Sequence, residues 1–338
     1  MKYKSVVVTK RGGPEVLQIV EKDLREPLAG EARIKVLASS VSADDVGHRY
    51  GNRPFAPKIP FVPGYAIVGK VDALGEGVTT VAVGDRVAAL TVTGGYAEYI
   101  FLRSQELIPV PAALDAAEAV PLIENYMTAY QMLHRSARVK AGDKVLIIGA
   151  SGGVGVALLQ LGKLAGLTMY GIASKRKHSV LRDLGAFPID YHTQDFAEIV
   201  RQAEPGGLDY VFDGMGGDYA SRALAVVRRG GKVVEYGAAS GNLALLLGLL
   251  KLALAGLTSG GKSFTLFGVT GLYKMNKKPY LEDLDVLFKL VEEGSLKPVI
   301  TNKIPLLEAV RANELLESGN VVGNVVLLAP EMYEGLSR

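Results

Sequence analysis

From residue 4 to about 110 the apolar positions come in short Val/Ile-rich runs: Ser5–Thr9, Ile34–Ser39, Ile67–Leu74, Arg86–Leu90 and Tyr96–Leu102. Gly, Pro and Asp separate them. Runs of that length between turn-forming residues predict strands. Gly84-Asp85 ahead of Arg86-Val87 reads as a turn feeding one of them. This stretch predicts a mostly antiparallel β domain.

Near residue 115 the period changes. Asp115 stands as an N-cap for a helix opening at Asp115–Glu118, and Met127–Ala137 keeps helical spacing. Strand and helix then alternate. Strands are predicted at Lys144–Gly149, Thr168–Ala173, Tyr210–Asp213 and Lys232–Tyr236. Helices are predicted at Gly153–Ala165, Arg176–Leu184 and Tyr219–Val227. Such alternation predicts parallel strands with crossover helices, an α/β doubly wound sheet. After about residue 300 a helix (Leu306–Ser318) and a strand (Val321–Leu328) are read as rejoining the first domain. The expected domains are 1–122 with 300–338, and 123–299. No internal repeat is visible.

Composition narrows the classes. A chain of 338 residues suits two domains. With 49% apolar and 22% charged residues it is neither disordered nor collagenous nor a coiled coil. Cations exceed anions by only 38 to 35, spread evenly, so no nucleic-acid partner is expected. There is no cysteine, which excludes disulfides, thiolate catalysis, iron–sulfur clusters and Cys-ligated zinc. A reducing, cytoplasmic location fits. The opening MKYKSVVVTKRGG holds an apolar run of three valines, too short for a signal peptide.

The strongest motif is Val145-Leu-Ile-Ile-Gly149-Ala150-Ser151-Gly152-Gly153-Val154-Gly155, an apolar strand, a Gly-rich turn and a helix. Val154, Leu158, Leu161 and Ala165 share one face of that helix. Glycines let a backbone approach a pyrophosphate closely, and the helix N-terminus offers it N–H groups and a positive dipole end. A dinucleotide is therefore the expected ligand, against the blander reading of a tight turn in another α/β protein. The next strand ends at Ala173. An NAD site would place Asp or Glu there for the ribose 2′-OH; this chain has Ser174-Lys175-Arg176-Lys177. Cations at a helix start are disfavoured unless an anion sits among them. The 2′-phosphate of NADP is such an anion; a solvated basic patch is the alternative. Tyr191 follows the next strand and is placed against the adenosine end.

These residues carry a resemblance. The chain resembles the zinc-free medium-chain dehydrogenase/reductases of the quinone oxidoreductase (zeta-crystallin-like) branch over nearly its whole length. The marks are Gly12-Gly13-Pro14-Glu15-Val16-Leu17, Pro60-Phe-Val-Pro63-Gly64, Val83-Gly84-Asp85-Arg86-Val87, Gly94-Gly95-Tyr96-Ala97-Glu98-Tyr99 and the Gly149–Gly155 turn. Asn125-Tyr126-Met127-Thr128-Ala129-Tyr130 and Pro188-Ile-Asp-Tyr191-His192-Thr193 are similar to the vesicle amine transport protein subgroup. The resemblance implies a GroES-like β domain completed by the C-terminus, a Rossmann domain, a cleft between them and a homodimer. It implies NADPH as hydride donor to an apolar quinone or α,β-unsaturated carbonyl. It places Thr128 at the nicotinamide, Phe267-Gly268-Val269 at its carboxamide, Gly237 along the cofactor and Asn324 in contact with it.

Three departures bear on chemistry. Zinc-dependent relatives carry Gly-His-Glu where this chain has Gly64-Tyr65-Ala66, and no pair among His48, His134, His178 and His192 has metal spacing, so no metal site is expected. Quinone reductases tend to carry an Asn and a Tyr where this chain has Ser42 and Gly47. The negative charge that develops on a reduced carbonyl then needs hydrogen-bond donors or water. Candidates are Ser42, Tyr50, Tyr65, Tyr126 and Thr128, with Asp45 organising the pocket. Finally, Leu243–Leu257 has nine leucines in fifteen residues. As a helix it is about 22 Å long, short of a bilayer core of about 30 Å. A buried or dimer-packed helix, an apolar lid over the substrate hinged at Gly260-Gly261, and a membrane-surface patch compete, the last not favoured. The reductase activity expected from the resemblance is for a quinone or a related α,β-unsaturated carbonyl. A 2-alkenal or enoyl-thioester reductase and a non-catalytic NADPH-binding protein are the alternatives.

Overall fold

The computed structural model describes residues 1–237 and 261–334. Leu243–Leu257 and Gly260 lie outside the described residues. Backbone contacts divide the chain into two compact units, Met1–Glu124 with Asn276–Arg338, and Asn125–Met275.

The first unit is built on a seven-stranded sheet and a hairpin. The hairpin is β1 (Lys2–Val8) against β2 (Leu17–Asp23). The sheet contains β3 (Glu31–Val41), β4 (Ala66–Leu74), β5 (Arg86–Leu90), β6 (Tyr99–Arg103), β7 (Ile108–Pro109), β14 (Ile300–Pro305) and β15 (Asn324–Leu328). Its order is β14-β15-β3-β4-β5-β7, with β6 also on β3; every pair is antiparallel except β14 with β15. The C-terminal strand therefore completes the first unit, pairing Val325 with Val41 and Leu328 with Ala38. Along β3 the burial alternates as far as Val36, then both faces are buried. The second half is covered by α2 (Ala116–Pro121), which packs on β3 and β15. Asp115 caps that helix, accepting from the N–H groups of Ala117 and Glu118. Before β4 and after β3 stands α1 (Ala43–Tyr50), capped by Ser42 and ended by Gly51 at φ +74°.

The second unit holds a six-stranded, wholly parallel sheet. Its strands are β8 (Lys144–Ile148), β9 (Thr168–Ala173), β10 (Ala186–Asp190), β11 (Leu208–Asp213), β12 (Val227–Glu235) and β13 (Ser263–Leu266). The order β10-β9-β8-β11-β12-β13 is the doubly wound arrangement whose direction reverses at the first strand of the unit, β8. The connecting helices include α4 (Gly153–Leu164), α5 (His178–Asp183), α6 (Phe196–Ala203) and α7 (Asp218–Val226). Leu146, Ile148, Ile172, Ile189, Val211 and Val233 form a core with Phe196 and Val200 of α6 and Val226 of α7. No helix among the described residues is long and apolar enough to cross a membrane.

Several expectations shift. Residues 276–299, expected with the second unit, group with the first. The helix Lys277–Glu292 anchors there: the Tyr280 hydroxyl donates to the Ile123 carbonyl and Lys277 to that of Gln105. The helix expected at Met127–Ala137 is α3 (Met127–Gln131) between two π-helical turns, Leu122–Tyr126 and Met132–Ala137. Residues 155–159 of α4 are all buried, so its apolar surface is far wider than the single face first read; it packs on β8 and α3.

Candidate functional site

The strand order reverses at β8, and the Gly-rich turn leaves the C-terminal end of that strand. Gly149 takes φ +81°, a conformation that costs a side chain but not glycine. A Cβ on Gly155 would stand 2.3 Å from the Gly149 carbonyl oxygen, so glycine is required for α4 to close on the strand. Over Gly152, at the N-cap of α4, the nearest atom to a Cβ is 3.6 Å away, and the N–H groups that open a helix have no partner within it. At the ends of β11 and β12, a Cβ on Gly237 would stand 2.1 Å from the Gly214 oxygen. Beyond β13, Phe267 is tied by its N–H to the Glu235 carbonyl, Gly268 is exposed with open space above it, and Val269 begins a helix. The row of strand ends is thus lined by backbone that a flat, extended ligand can approach. This fits a dinucleotide.

β9 ends without an acid. Ser174 is buried, Lys175 and Arg176 are exposed, and Lys177 is half-buried with its Nζ 3.1 Å from Ser151 Oγ. Burial, with Arg176 beside it, holds the Lys177 ammonium below the ordinary lysine range. A phosphate among these groups would relieve both penalties. Tyr191 is half exposed just past β10, its ring 4.2 Å from that of His192.

One feature of this edge escaped the sequence reading. Asp213, at the end of β11, is fully buried. Its Oδ1 accepts from the N–H groups of Met215 and Gly216 at 2.8 and 2.9 Å, fixing the turn beside Gly149. Burial raises its carboxyl above the usual range.

In the first unit a buried polar cluster surrounds the start of α1. Asp45 is 1% exposed. Its Oδ1 accepts from the Gly64 N–H at 2.8 Å. Its Oδ2 accepts from the Ser42 N–H (3.0 Å), the Ser42 hydroxyl (3.1 Å) and the Tyr96 hydroxyl (3.4 Å). The sequence pointed to Ser42 and Asp45; it missed Glu124, which lies against them. Glu124 is buried, and the Ser40 hydroxyl donates to its Oε2 at 3.4 Å. The available signal was a lone carboxylate inside the wholly buried stretch 119–129. Burial raises Glu124 well above the carboxylate range, reinforced by Asp44 and Asp45.

Other candidates fall differently. Tyr65 is buried with its ring stacked on His48 at 5.9 Å. Burial lowers the His48 imidazole, so it is neutral near pH 7. Tyr126 is fully buried and its hydroxyl donates to Gln160 Oε1 of α4. Tyr50 gives its hydroxyl to Glu317. Thr128 is buried on α3. Asn324, placed at the cofactor by the resemblance, belongs to the first unit, where its amide donates to the Val299 carbonyl at 2.9 Å. Among the described residues no three His, Asp or Glu side chains stand together as a metal site.

The Asp45 environment makes a prediction. Burial pushes its carboxyl from 3.8 to about 7, against hydrogen bonds from Ser42 and Gly64. The protonated form is therefore favoured in the fold. Its contribution is fully present below pH 4 and is lost as pH rises through 7, on the order of 4 kcal/mol for a shift of about three units. Urea midpoints of the wild type should fall from pH 5 to 8 relative to those of Asp45→Asn. Parallel curves would refute the assignment.

Residues 28–112 match the model of the alcohol dehydrogenase GroES-like domain, and residues 184–327 that of the zinc-binding dehydrogenase domain. The chain is 30% identical to the synaptic vesicle membrane protein VAT-1 homolog of Danio rerio, over 98% of this chain and 71% of that protein. It is 32% identical to a 2-haloacrylate reductase of a Burkholderia species, over 96% of this chain and 98% of that protein. The structure is similar to that of Escherichia coli quinone oxidoreductase, solved in complex with NADPH. The TM-score is 0.86 at 28% identity, covering 96% of this chain and 99% of that one. With a parallel sheet of this order in one unit and a GroES-like sheet in the other, the chain belongs to the zinc-free medium-chain dehydrogenase/reductase family, in its quinone oxidoreductase branch.

Proposed function

We propose that the chain is an NADPH-dependent, zinc-independent reductase of α,β-unsaturated carbonyls and quinones. The observation that carries this reading is the Gly149–Gly155 cradle beside Ser174–Lys177, where cations replace the acid of an NAD site. NADPH, when bound, supplies the hydride. The chain's residues do the rest. The backbone of Gly152 and Gly153 receives the pyrophosphate, and Lys175, Arg176 and Lys177 neutralise the 2′-phosphate. Gly237, Phe267 and Gly268 line the nicotinamide half with backbone, and Thr128 orients the ring.

Within this class, the unsaturated carbonyl is favoured over the quinone. Ser42 stands where quinone reductases tend to have Asn, and it is joined to buried carboxyls able to hold a proton. A hydroquinone anion needs little acid help, whereas an enone must gain a proton at Cα. The reductase of haloacrylates among the relatives supports the same choice. The test follows absorbance at 340 nm with purified protein, an ortho-quinone, a 2-alkenal and an enoyl thioester. NADPH should be oxidised with the alkenal at least tenfold faster than NADH. A faster reaction with NADH would refute the cofactor reading. Tight NADPH binding without turnover of any acceptor would refute the reductase itself.

A further inference from the structure

Lys177 links two segments of the second unit. It stands between β9 and α5, yet its Nζ lies 3.1 Å from the hydroxyl oxygen of Ser151, 26 residues earlier in the Gly-rich turn. The amine donates in that contact, so Ser151 has its own O–H to give. Lys177 and Ser151 are half-buried, while Lys175, Arg176 and Gly152 beside them are exposed. A Cβ on Gly152 would meet nothing nearer than 3.6 Å, so a ligand can reach the turn. The stretch from Lys144 to Arg182, which supplies β8, α4, β9 and most of α5, has six cations and no acid, so this corner attracts anions. Asp190, at the end of the neighbouring β10, is taken by the His192 N–H and the Thr193 hydroxyl. Burial and the Arg176 charge hold the Lys177 ammonium below the usual lysine range, which leaves more of it as the neutral amine that attacks carbonyls. That amine has two N–H bonds for its partners and a lone pair besides.

We propose that Lys177 is a covalent site for aldehydes that carry a phosphate group, with Lys175 and Arg176 holding the phosphate and Ser151 assisting the condensation. This rests on the reading that a phosphate binds in this corner; it needs neither a nicotinamide nor an acceptor. The Lys177 ammonium first gives one proton to solvent. Its lone pair then forms an N–C bond as the C=O π bond opens, and the aldehyde oxygen takes the Ser151 proton while Ser151 recovers one from the nitrogen. The resulting carbinolamine takes a proton back from solvent, its C–O bond breaks, and water leaves. A protonated imine remains on Lys177. Nothing is oxidised or reduced: one aldehyde is consumed and one water is released. The occupied corner no longer accepts the 2′-phosphate of NADPH, so such an aldehyde shuts the cofactor out and bound cofactor shields the lysine.

The test treats the full chain with pyridoxal 5′-phosphate, used as a phosphate-bearing aldehyde, then with borohydride to fix the imine, and maps the label by peptide mass. A single pyridoxyl group should appear, on Lys177. NADP⁺ should suppress it, and NAD⁺ at the same concentration should not. Pyridoxal without its phosphate should react roughly thirtyfold more slowly, the share of two exposed charge pairs. Ser151→Ala should slow imine formation roughly tenfold, because water takes over only part of the proton transfer. Lys177→Arg keeps the charge but forms no imine and should take no label; if it fails to fold, the wild-type mapping and the NADP⁺ protection carry the test. Label spread evenly over several lysines, label on Lys177 that NADP⁺ does not suppress, or equal rates with pyridoxal and its phosphate overturn the site. A protein that binds and turns over NADPH but takes no label on Lys177 overturns this inference alone. One that is labelled and shielded as expected, yet reduces no acceptor, sinks the reductase reading and leaves this site standing.

Discussion

Gly155→Ala is expected to lose cofactor binding and to destabilise the second unit. The added methyl would stand 2.3 Å from the Gly149 oxygen and 2.7 Å from the Ala150 backbone, neither of which is a flexible side-chain end. Either α4 backs away from β8 or the turn opens. Overpacking of this kind costs about 1–3 kcal/mol, a fall in Tm of roughly 5 °C in a unit of this size. The displaced N–H groups no longer converge on a pyrophosphate, so NADPH affinity should fall at least 100-fold. Gly152→Ala makes the contrast, since its methyl meets nothing nearer than 3.6 Å. It should leave Tm unchanged and weaken NADPH only by narrowing the approach. Calorimetry and a fluorescence titration read both quantities. A Gly155→Ala protein with wild-type Tm and affinity would show that the closure of α4 on β8 is not what builds the site.

Replacing Lys175, Arg176 and Lys177 together by alanine should weaken NADPH about 100-fold and leave NADH within threefold. The size follows from exposure. A charge pair at 4 Å reaches about 4 kcal/mol at an effective dielectric of 20, but exposed pairs yield about 1 kcal/mol each, and three of them give roughly two decades. Lys177 should account for the largest single share because it is the half-buried member and already lies on Ser151. The difference should shrink with added salt, as screening demands. Equal weakening of NADPH and NADH would place the 2′-phosphate elsewhere.

Much of the second unit was legible because its strands are continuous apolar runs and its turn carries glycines that nothing else can replace. Thr168–Ala173 and the Asp115 cap fall where the sequence put them. The amphipathic helices Phe196–Ala203 and Lys277–Glu292 were passed over although their spacing is helical. β2 was missed for a physical reason: Leu17 is its one buried residue, so it carries no alternating signal. The site divides in the same way. Backbone roles such as that of Gly155 are written in residue type. Side-chain roles depend on neighbours far along the chain. Asn324 is occupied by Val299, Tyr126 by Gln160, and Glu124 gains its meaning only from Ser40, Ser42 and Asp45. No periodicity announces those meetings.

The pairing of β15 with β3 joins the two ends of the chain across an entire inserted unit. During synthesis the ribosome must finish β15 before the first sheet can close, whereas the inserted unit has all its strands in hand by Met275. The inserted unit is therefore free to fold first, and β3 must wait with Ala38–Val41 unpaired on the side that β15 will take. Loop closure over such a span is slow and leaves an open strand edge exposed to other nascent chains. The nested fold thus ties folding yield to β15, so that a chain truncated ahead of Asn324 keeps a foldable core unit but loses the strand that pairs with β3 next to Ser42.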